Sequence, residues 1–278
     1  MGGLPAWWSK AIVMATIAGV SVTVAAADQS PVKGESPNTP RAAASFLSSG
    51  YLPRASLPDS LVLNPPPPAT HSQAWKRDEE GAKAAVAIRG GTRWQQATLD
   101  ADLFSPTATG LFSCAAGIPI ESQTAPKTVA VLRKMAADLA MAVYPTKRRY
   151  QRDRPFVANK QPVCTPQDRS VLARDGSYPS GHSAIGYGWG LALSEIVPER
   201  AAQLVARGRA FGDSRRVCNV HWLSDIEEGR VVATAVVARL HAEPAFRADM
   251  DAARAEAASL VRRPMADCAR EEAALENR

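Results

Sequence analysis

The sequence predicts an all-α fold, a single-domain bundle of packed helices. Its 278 residues are 46% apolar, which is enough to bury one sizeable core. Apolar residues recur at spacings of three and four through several long segments, as they do along one face of a helix. No segment alternates with a period of two for long enough to require a β-sheet, and no internal repeat is present.

The chain begins with a pattern typical of an export signal. Lys10 precedes an apolar run over 11–24, and three alanines at 25–27 supply a cleavage site. The run is short for a membrane span, although an uncleaved anchor is an alternative. We therefore expect residues 1–27 to be a signal peptide and the mature protein to be periplasmic or secreted, without a membrane span.

The next segments lead into the domain. Residues 28–50 are rich in Ser, Pro and Ala and lack periodicity, so they are predicted to form a disordered linker before a helical domain over 51–278. Four prolines at 65–68 predict an extended arm on the domain surface, with a peptide ligand as the alternative. Ser72 is a candidate N-cap for a helix that two glycines end after residue 89.

Prolines divide the rest of the helical pattern. Pro126 opens a helix that Pro145 should end, because proline fits the first turn of a helix but not its interior. A basic helix is expected to end at Pro155, and Pro198 opens the next. Further helices are predicted over about 93–103 and about 246–261.

Charge and composition narrow the function. The formal net charge is +6 and the pI is about 9.3. Such a basic balance is typical of proteins that bind nucleic acid, a membrane surface or small anionic substrates. The basic residues are dispersed apart from the run 147–154, and aromatic residues make up only 6% without alternating with them. We therefore expect small anionic substrates and no nucleic-acid binding.

The four cysteines predict two disulfides. Their even number is typical of an oxidising compartment, which agrees with an exported protein. No CxxC pair is present, which argues against a zinc site. Their spacing leaves three connectivities open. They are Cys114, Cys164, Cys218 and Cys268.

The segment 214–225 has the strongest chemical pattern. Arg215 continues the otherwise apolar face of the preceding helix, so its guanidinium should point inward. His221 and Asp225 are four residues apart and would share one side of a helix. Such a carboxylate can hold one imidazole nitrogen protonated and leave the other free to attack, and the arginine favours an anionic target. A surface ion pair is the alternative.

Two more segments fit an anion site. Ser180 and Gly181 precede a strong helix and supply a cap and free backbone N–H groups, while His182 faces inward on that helix. A hydrogen-bonded core histidine is the alternative for His182. Lys147 and Arg154 are seven residues apart, two turns of a helix, and are predicted to share one face, the alternative being a solvated basic surface.

Together these segments resemble a known signature. Lys, six residues and Arg-Pro, then Pro-Ser-Gly-His, then Ser-Arg, five residues, His, three residues and Asp is the pattern of the type 2 phosphatidic acid phosphatase superfamily. Beyond the signature, about 51–257 look like the secreted class A bacterial non-specific acid phosphatases, which are related to vanadium haloperoxidases. Residues 28–50 and the tail after about 262 have no counterpart. The matching residues are Lys147, Arg154, Pro155, Pro179, Ser180, Gly181, His182, Ser214, Arg215, His221 and Asp225.

The resemblance implies a helical bundle of the acid phosphatase and vanadium haloperoxidase type, and a role for each signature residue. His221 would attack phosphorus and become a phosphohistidine, Asp225 would orient it, and His182 would donate and accept protons. No metal or other cofactor is implied, and vanadate is expected to act as a phosphate mimic and inhibitor. An acidic optimum is expected because the two histidines need opposite protonation states. The implied phosphate-binding residues are Lys147, Arg154, Ser180, Gly181 and Arg215.

The resemblance also bears on substrates and assembly. It implies hydrolysis of a broad range of phosphate monoesters by a homodimer or larger homo-oligomer. Relatives often carry cysteines that match Cys164 and Cys218, so we expect these two to pair and Cys114 to pair with Cys268. Two alternatives for the function are a vanadate-dependent haloperoxidase and a non-catalytic periplasmic phosphate-binding protein.

Overall fold

The computed structural model describes residues 50–262, 265 and 267–276. The signal peptide predicted for 1–27 and the linker predicted for 28–50, apart from Gly50, lie outside these residues. The described residues belong to one compact unit of α-helices, short 3-10 turns and loops, and no β-strand occurs among them. The prediction of an all-α fold is confirmed. None of the helices described is both long and apolar enough to cross a membrane.

The α-helices in the described part of the chain are numbered α1 to α13. The first six are α1 Ser60–Leu63, α2 Gln73–Ala87, α3 Thr92–Leu99, α4 Ser113–Ala116, α5 Pro126–Ala142 and α6 Tyr144–Tyr150. The others are α7 Pro155–Asn159, α8 Arg169–Leu172, α9 Gly181–Ile196, α10 Ala201–Val217, α11 Leu223–Leu240, α12 Pro244–Ser259 and α13 Cys268–Glu276.

Helix α9 lies at the centre of the fold and packs against α5, α10 and α11. Its contact with α10 depends on glycine. A Cβ on Gly190 would stand 2.7 Å from the carbonyl oxygen of Leu204, and one on Gly208 would stand 2.7 Å from that of Gly186. Side-chain carbons do not approach so closely, so the two backbones touch where only glycine fits. This contact offsets the cost of glycine inside a helix, about 1 kcal/mol per residue.

An aromatic cluster fills the space beside these helices. The ring of Trp189 in α9 packs edge-on against Phe112 with centroids 5.9 Å apart, and Phe112 lies 5.7 Å from Phe211 of α10. The indole N–H of Trp189 donates to the carbonyl oxygen of Leu132 in α5 at 2.7 Å, so the one polar atom of the ring is satisfied. The cluster holds α5, α9 and α10 in fixed relative positions.

One helix boundary differs from the prediction. Helix α3 ends at Leu99 rather than near residue 103, because Asp100 turns inward to pair with Arg207, with 2.6 Å between Oδ1 and Nη2. The helix that Pro126 opens, α5, ends at Ala142, before Pro145, as predicted. Pro145 itself does not interrupt α6. It lies in the first turn of α6, where its missing N–H removes no helical hydrogen bond. Ser72 caps α2 as predicted, with its Oγ 3.1 Å from the Trp75 nitrogen.

The sequence pattern does not predict α13, which long-range contacts hold to the rest of the fold. Cys268 in α13 is bonded to Cys114 in α4, and the Glu271 carboxylate accepts a hydrogen bond from Arg207 Nε at 2.9 Å. Both disulfides pair as the resemblance implied: Cys114–Cys268 and Cys164–Cys218.

Candidate active site

Four parts of the chain meet in one buried site: the end of α6, the loop after it, the first turn of α9, and the loop between α10 and α11. The Ser180 N–H donates to the Asp225 carbonyl oxygen at 2.8 Å, which joins the start of α9 to the start of α11. Arg154, from the loop after α6, reaches His221 with 3.0 Å between Nη1 and Nε2. The exposed fraction is at most 3% for each of Ser180, Asp225, Arg154 and His221, so the site is built inside the protein.

Lys147 and Arg154 reach the site by a route that periodicity does not predict. Helix α6 ends at Tyr150, where Gln151 takes a left-handed conformation with φ 42°. Arg154 is extended at ψ 154°, as expected before proline, and Pro155 opens α7 instead of ending a helix. The predicted shared helix face is therefore wrong, although both side chains arrive at the same place.

His221 also lies outside a helix. Helix α11 begins at Leu223 with Trp222 as its N-cap, so the prediction that His221 and Asp225 stack on one helix is wrong. Asp225 stands in the first turn, and its Oδ2 accepts the N–H of Trp222 at 2.8 Å. The same oxygen lies 3.2 Å from Nδ1 of His221. One carboxylate oxygen thus contacts both the helix N-terminus and the imidazole.

These contacts determine the tautomer of His221. A guanidinium can only donate, so Nε2 accepts from Arg154, and the ring proton lies on Nδ1 and points to Asp225. Burial and the neighbouring cations, Arg154 foremost, hold the pKa of His221 well below its ordinary value. The imidazole is therefore neutral, with the Nε2 lone pair turned toward positive charge.

Arg215 carries a buried guanidinium whose donors are not all hydrogen-bonded within the part of the chain described. It is 2% exposed, and its Nε and Nη1 find no hydrogen-bond partner among the described residues. Burial and the nearby Arg154 lower the pKa of Arg215 to about 9, which leaves it charged at neutral and acid pH. A buried cation without a partner is costly, and a bound anion would supply the partner.

Lys147 and Arg154 share one carboxylate. Oδ2 of Asp175 lies 3.3 Å from Lys147 Nζ and 3.0 Å from Arg154 Nη2. Three backbone carbonyl oxygens also accept from the Arg154 guanidinium, which fixes its orientation. Burial and then Arg154 lower the pKa of Lys147 to about 8, so it is charged at acid pH. Asp175 is therefore paired with two cations that an anionic substrate would need to contact.

His182 is held through one ring nitrogen. Its Nε2 lies 3.0 Å from the carbonyl oxygen of Ala101, which only accepts, so Nε2 is protonated and Nδ1 is left to exchange a proton. Burial and the charge of Arg215 hold the pKa of His182 well below its ordinary value. The ring is therefore neutral in the free site, until an anion offsets the surrounding positive charge.

The first turn of α9 supplies backbone donors. Ser180 is the N-cap, and its Oγ accepts from the Ser183 N–H at 3.2 Å and from the Ser183 hydroxyl at 2.9 Å. Gly181 follows as the first helical residue, where N–H groups have no partner within the helix. The helix start therefore has the geometry of an anion site, and anion binding at Ser180 and Gly181 stays a prediction.

Comparison with known proteins identifies the family. The family model described as the PAP2 superfamily matches residues 128–247, which include every predicted catalytic and phosphate-binding residue. An acid phosphatase of Zymomonas mobilis subsp. mobilis is 37% identical over 198 residues, which cover 71% of this chain and 75% of that protein. The chain belongs to the PAP2 superfamily.

Two further relatives narrow the position within the PAP2 superfamily. A non-specific acid phosphatase of Providencia stuartii is 38% identical over 211 residues, 76% of this chain and 85% of that protein. One of Salmonella typhimurium is 40% identical over 210 residues, 74% of this chain and 82% of that protein. This PAP2 protein is therefore an enzyme of the acid phosphatase type, as the resemblance implied.

The PAP2 site contains residues that the sequence pattern missed. Arg152 stands in a basic run typical of a solvated surface, yet its side chain is 8% exposed and pairs with Asp225 at 2.7 Å. Asp78 of α2 pairs with Arg152 as well, at 2.7 Å. Asp78, Ala82 and Ala85 follow each other at spacings of four and three on the buried face of α2. A charged residue on that apolar face was the available signal.

The positive charges of this PAP2 site come from side chains. Among the described residues, no group of three or more His, Cys, Asp and Glu side chains is arranged to hold a metal ion. The cations that surround His221 are arginine and lysine, which keep their charge at acid pH. They are Lys147, Arg154 and Arg215.

Proposed function

We propose that the protein hydrolyses a broad range of phosphate monoesters through a phosphohistidine on His221, without a metal ion. The observation that carries this proposal is a neutral nucleophile beside a buried guanidinium, two of whose nitrogens have no hydrogen-bond partner in the described part of the chain. Nε2 of His221 holds a lone pair next to Arg154, and Arg215 has two unpartnered nitrogens. A phosphoryl group bound there would meet both the nucleophile and the charge that matches it.

Substrate binding would rearrange one hydrogen bond. Nη1 of Arg154 donates to Nε2 of His221 in the free site. A phosphate dianion is a stronger acceptor than a neutral imidazole, so the guanidinium would turn that bond to a phosphoryl oxygen and release the lone pair. Lys147 and Arg215 would contact the other oxygens, together with the first turn of α9 at Ser180 and Gly181.

The reaction would then proceed in two displacements. In the first, a bond forms between phosphorus and His221 Nε2, and the bond to the ester oxygen breaks. Once the phosphate dianion is bound, His182 takes up a proton from solvent on Nδ1, and it gives this proton to that oxygen, which leaves as an alcohol. In the second, water attacks phosphorus while His182 takes a proton from it, and the bond to Nε2 breaks. Asp225 stabilises the positive ring between the two steps through Nδ1.

Release of p-nitrophenol from p-nitrophenyl phosphate at acid pH, in excess EDTA, tests the proposed function. We expect the rate to be the same with and without EDTA, because Lys147, Arg154 and Arg215 supply the charge that a metal would supply. Vanadate should inhibit the hydrolysis, because it resembles phosphate and should bind in its place. An EDTA-sensitive rate that a divalent ion restores would contradict the metal-free mechanism, and absent hydrolysis would contradict the phosphatase.

Asp175→Asn should strengthen phosphate binding. Its carboxylate, 39% exposed, occupies Lys147 and Arg154, and an amide competes with phosphate far less. An ion pair in contact with water is worth up to about 1 kcal/mol, so the competitive inhibition constant of inorganic phosphate should fall about 3–5-fold. Asp251→Asn, an exposed carboxylate on α12, is the matched control and should leave the constant unchanged. An unchanged or weaker constant for Asp175→Asn would contradict this competition.

We extend the proposal to location and assembly. Residues 1–27 would direct export, 28–50 would link, and 51–278 would form the enzyme in the periplasm or outside the cell. Two disulfides support an oxidising compartment. A homodimer or larger homo-oligomer is proposed from the family resemblance alone.

A further inference from the structure

Arg152 lies inside the protein although it belongs to a basic run. Its guanidinium carbon stands 5.5 Å from the ring centroid of Trp75 and 5.3 Å from that of Trp222. Only 8% of its side chain is exposed. Two aromatic neighbours at this distance hold a planar guanidinium in one orientation, which a flexible surface arginine does not have.

The two ends of the Arg152 fork reach different carboxylates. Nη1 donates to Asp225 Oδ1 at 2.7 Å and to Ser224 Oγ at 2.8 Å. Nη2 donates to Asp78 Oδ2 at 2.7 Å. Asp78 is itself fixed, because its oxygens accept the Ser224 N–H at 2.8 Å and the Ser224 hydroxyl at 2.6 Å. Arg152 thus joins α2 to the first turn of α11.

Asp225 depends on this contact for its charge. The residue is 0% exposed, and an ionised carboxylate in such a place is costly unless it is paired. Its Oδ2 contacts His221 and the Trp222 N–H, whereas its Oδ1 accepts a hydrogen bond from Arg152 Nη1. Burial raises the pKa of Asp225, and Arg152 is the strongest influence that opposes this rise.

We propose that Arg152 is a positioning residue that keeps Asp225 ionised at acid pH, and that Asp78 fixes the guanidinium that does so. This inference rests on the proposed function, because an ionised Asp225 is what stabilises the positive phosphohistidine on His221. It assigns a role to α2, which lies outside the matched span 128–247.

The pH at which Asp225 loses its charge is set by its neighbours. Loss of the Arg152 charge would raise the pKa of Asp225 further, so the carboxylate would take up a proton at a higher pH as the medium becomes more acid. The acid limb of kcat/KM would then move to higher pH. The titratable and charged groups that face Asp225 are Arg152, His221, Lys147, Arg154 and Tyr178.

Two substitutions at position 152 separate charge from geometry. Arg152→Gln keeps a hydrogen-bond donor and removes the charge, while Arg152→Lys keeps the charge but cannot span both carboxylates. Arg149→Gln removes an exposed arginine from α6 and is the matched control. The measurement is kcat and kcat/KM for p-nitrophenyl phosphate from acid to neutral pH, with thermal unfolding followed by circular dichroism to check the fold of each variant.

We expect Arg152→Gln to move the acid limb of kcat/KM up by about 1–3 pH units and to lower kcat about 10–100-fold at the wild-type optimum. Arg152→Lys should return the acid limb toward that of the wild type while kcat stays reduced. The control should match the wild type. If Arg152→Gln has the acid limb of Arg149→Gln, the inference is wrong.

The inference and the proposed function fail in different ways. A wild-type protein without phosphatase activity would refute the function. An active wild type with an unshifted Arg152→Gln profile would refute the role of Arg152 alone. Should Arg152→Gln not fold, Arg152→Lys decides, and a kcat equal to that of the wild type would overturn the role of the fork that joins Asp225 and Asp78.

Discussion

His221→Ala should lower kcat for p-nitrophenyl phosphate by at least about 10⁴-fold. The substitution removes Nε2, the nitrogen whose lone pair faces the cations. Arg154 and Arg215 can still bind phosphate. The variant should therefore lose catalysis and keep binding. Steady-state kinetics with isothermal titration of inorganic phosphate measures both quantities on the same preparation.

His241→Ala is the matched control for His221→Ala. His241 is 41% exposed on its side chain and pairs with Glu195 at 3.0 Å, away from the residues of the site. Its loss should leave kcat near the wild-type value. A His221→Ala enzyme that folds and still turns over within about tenfold of the wild type would mean that another group attacks phosphorus.

His182→Ala should slow the hydrolysis of alkyl phosphates by about 10²–10⁴-fold and that of p-nitrophenyl phosphate by less than about tenfold. An alkoxide needs a proton as it leaves, and Nδ1 of His182 is the atom that would supply it. The p-nitrophenolate ion is stable without that proton. The measurement is kcat/KM across a series of phosphate esters whose leaving groups differ in basicity.

The acid role of His182 also has a pH signature. Its pKa is held low in the free site by burial and by Arg215, and a bound phosphate dianion would offset that charge and raise the pKa. The proton-donating form would therefore persist to higher pH in the complex, so the alkaline limb of kcat should lie above that of kcat/KM. Equal losses of His182→Ala on all esters, or coincident limbs, would contradict the role.

The sequence predicted the helical class and the residues that gather at the site, because both depend on local chemistry. Ser72 caps α2 through its hydroxyl, as such residues do wherever they precede a helix. Gly190 and Gly208 are different, because the close approach of α9 and α10 that requires them is visible only in the folded chain. The Ser72 cap depends on neighbouring residues alone, so it can be predicted without knowledge of the rest of the fold.

Helix periodicity misled where a turn intervenes. Spacings of seven and four residues predict shared helix faces, but Gln151 ends α6 before Arg154, and Trp222 caps α11 after His221. Proline both opens and interrupts helices, so Pro155 alone could not decide between the two. The side chains still converge because the loops, and not a shared helix, direct them.

Burial of a charged side chain depends on partners distant in sequence. Arg152 is buried because Asp78 and Asp225 approach it from α2 and α11, which no local pattern in the basic run reveals. Asp175 was missed for the same reason, since its partners Lys147 and Arg154 lie in another segment. Such ion pairs are properties of the folded chain.

Trapping the covalent intermediate tests the central proposal most directly. The enzyme would be mixed with substrate, quenched in base, in which phosphohistidine survives, then digested and mapped by mass spectrometry. We expect a phosphoryl group on the peptide that contains His221, located on that residue and absent from His221→Ala. A phosphoryl group on any other residue, or turnover with no covalent intermediate under rapid quenching, would contradict it.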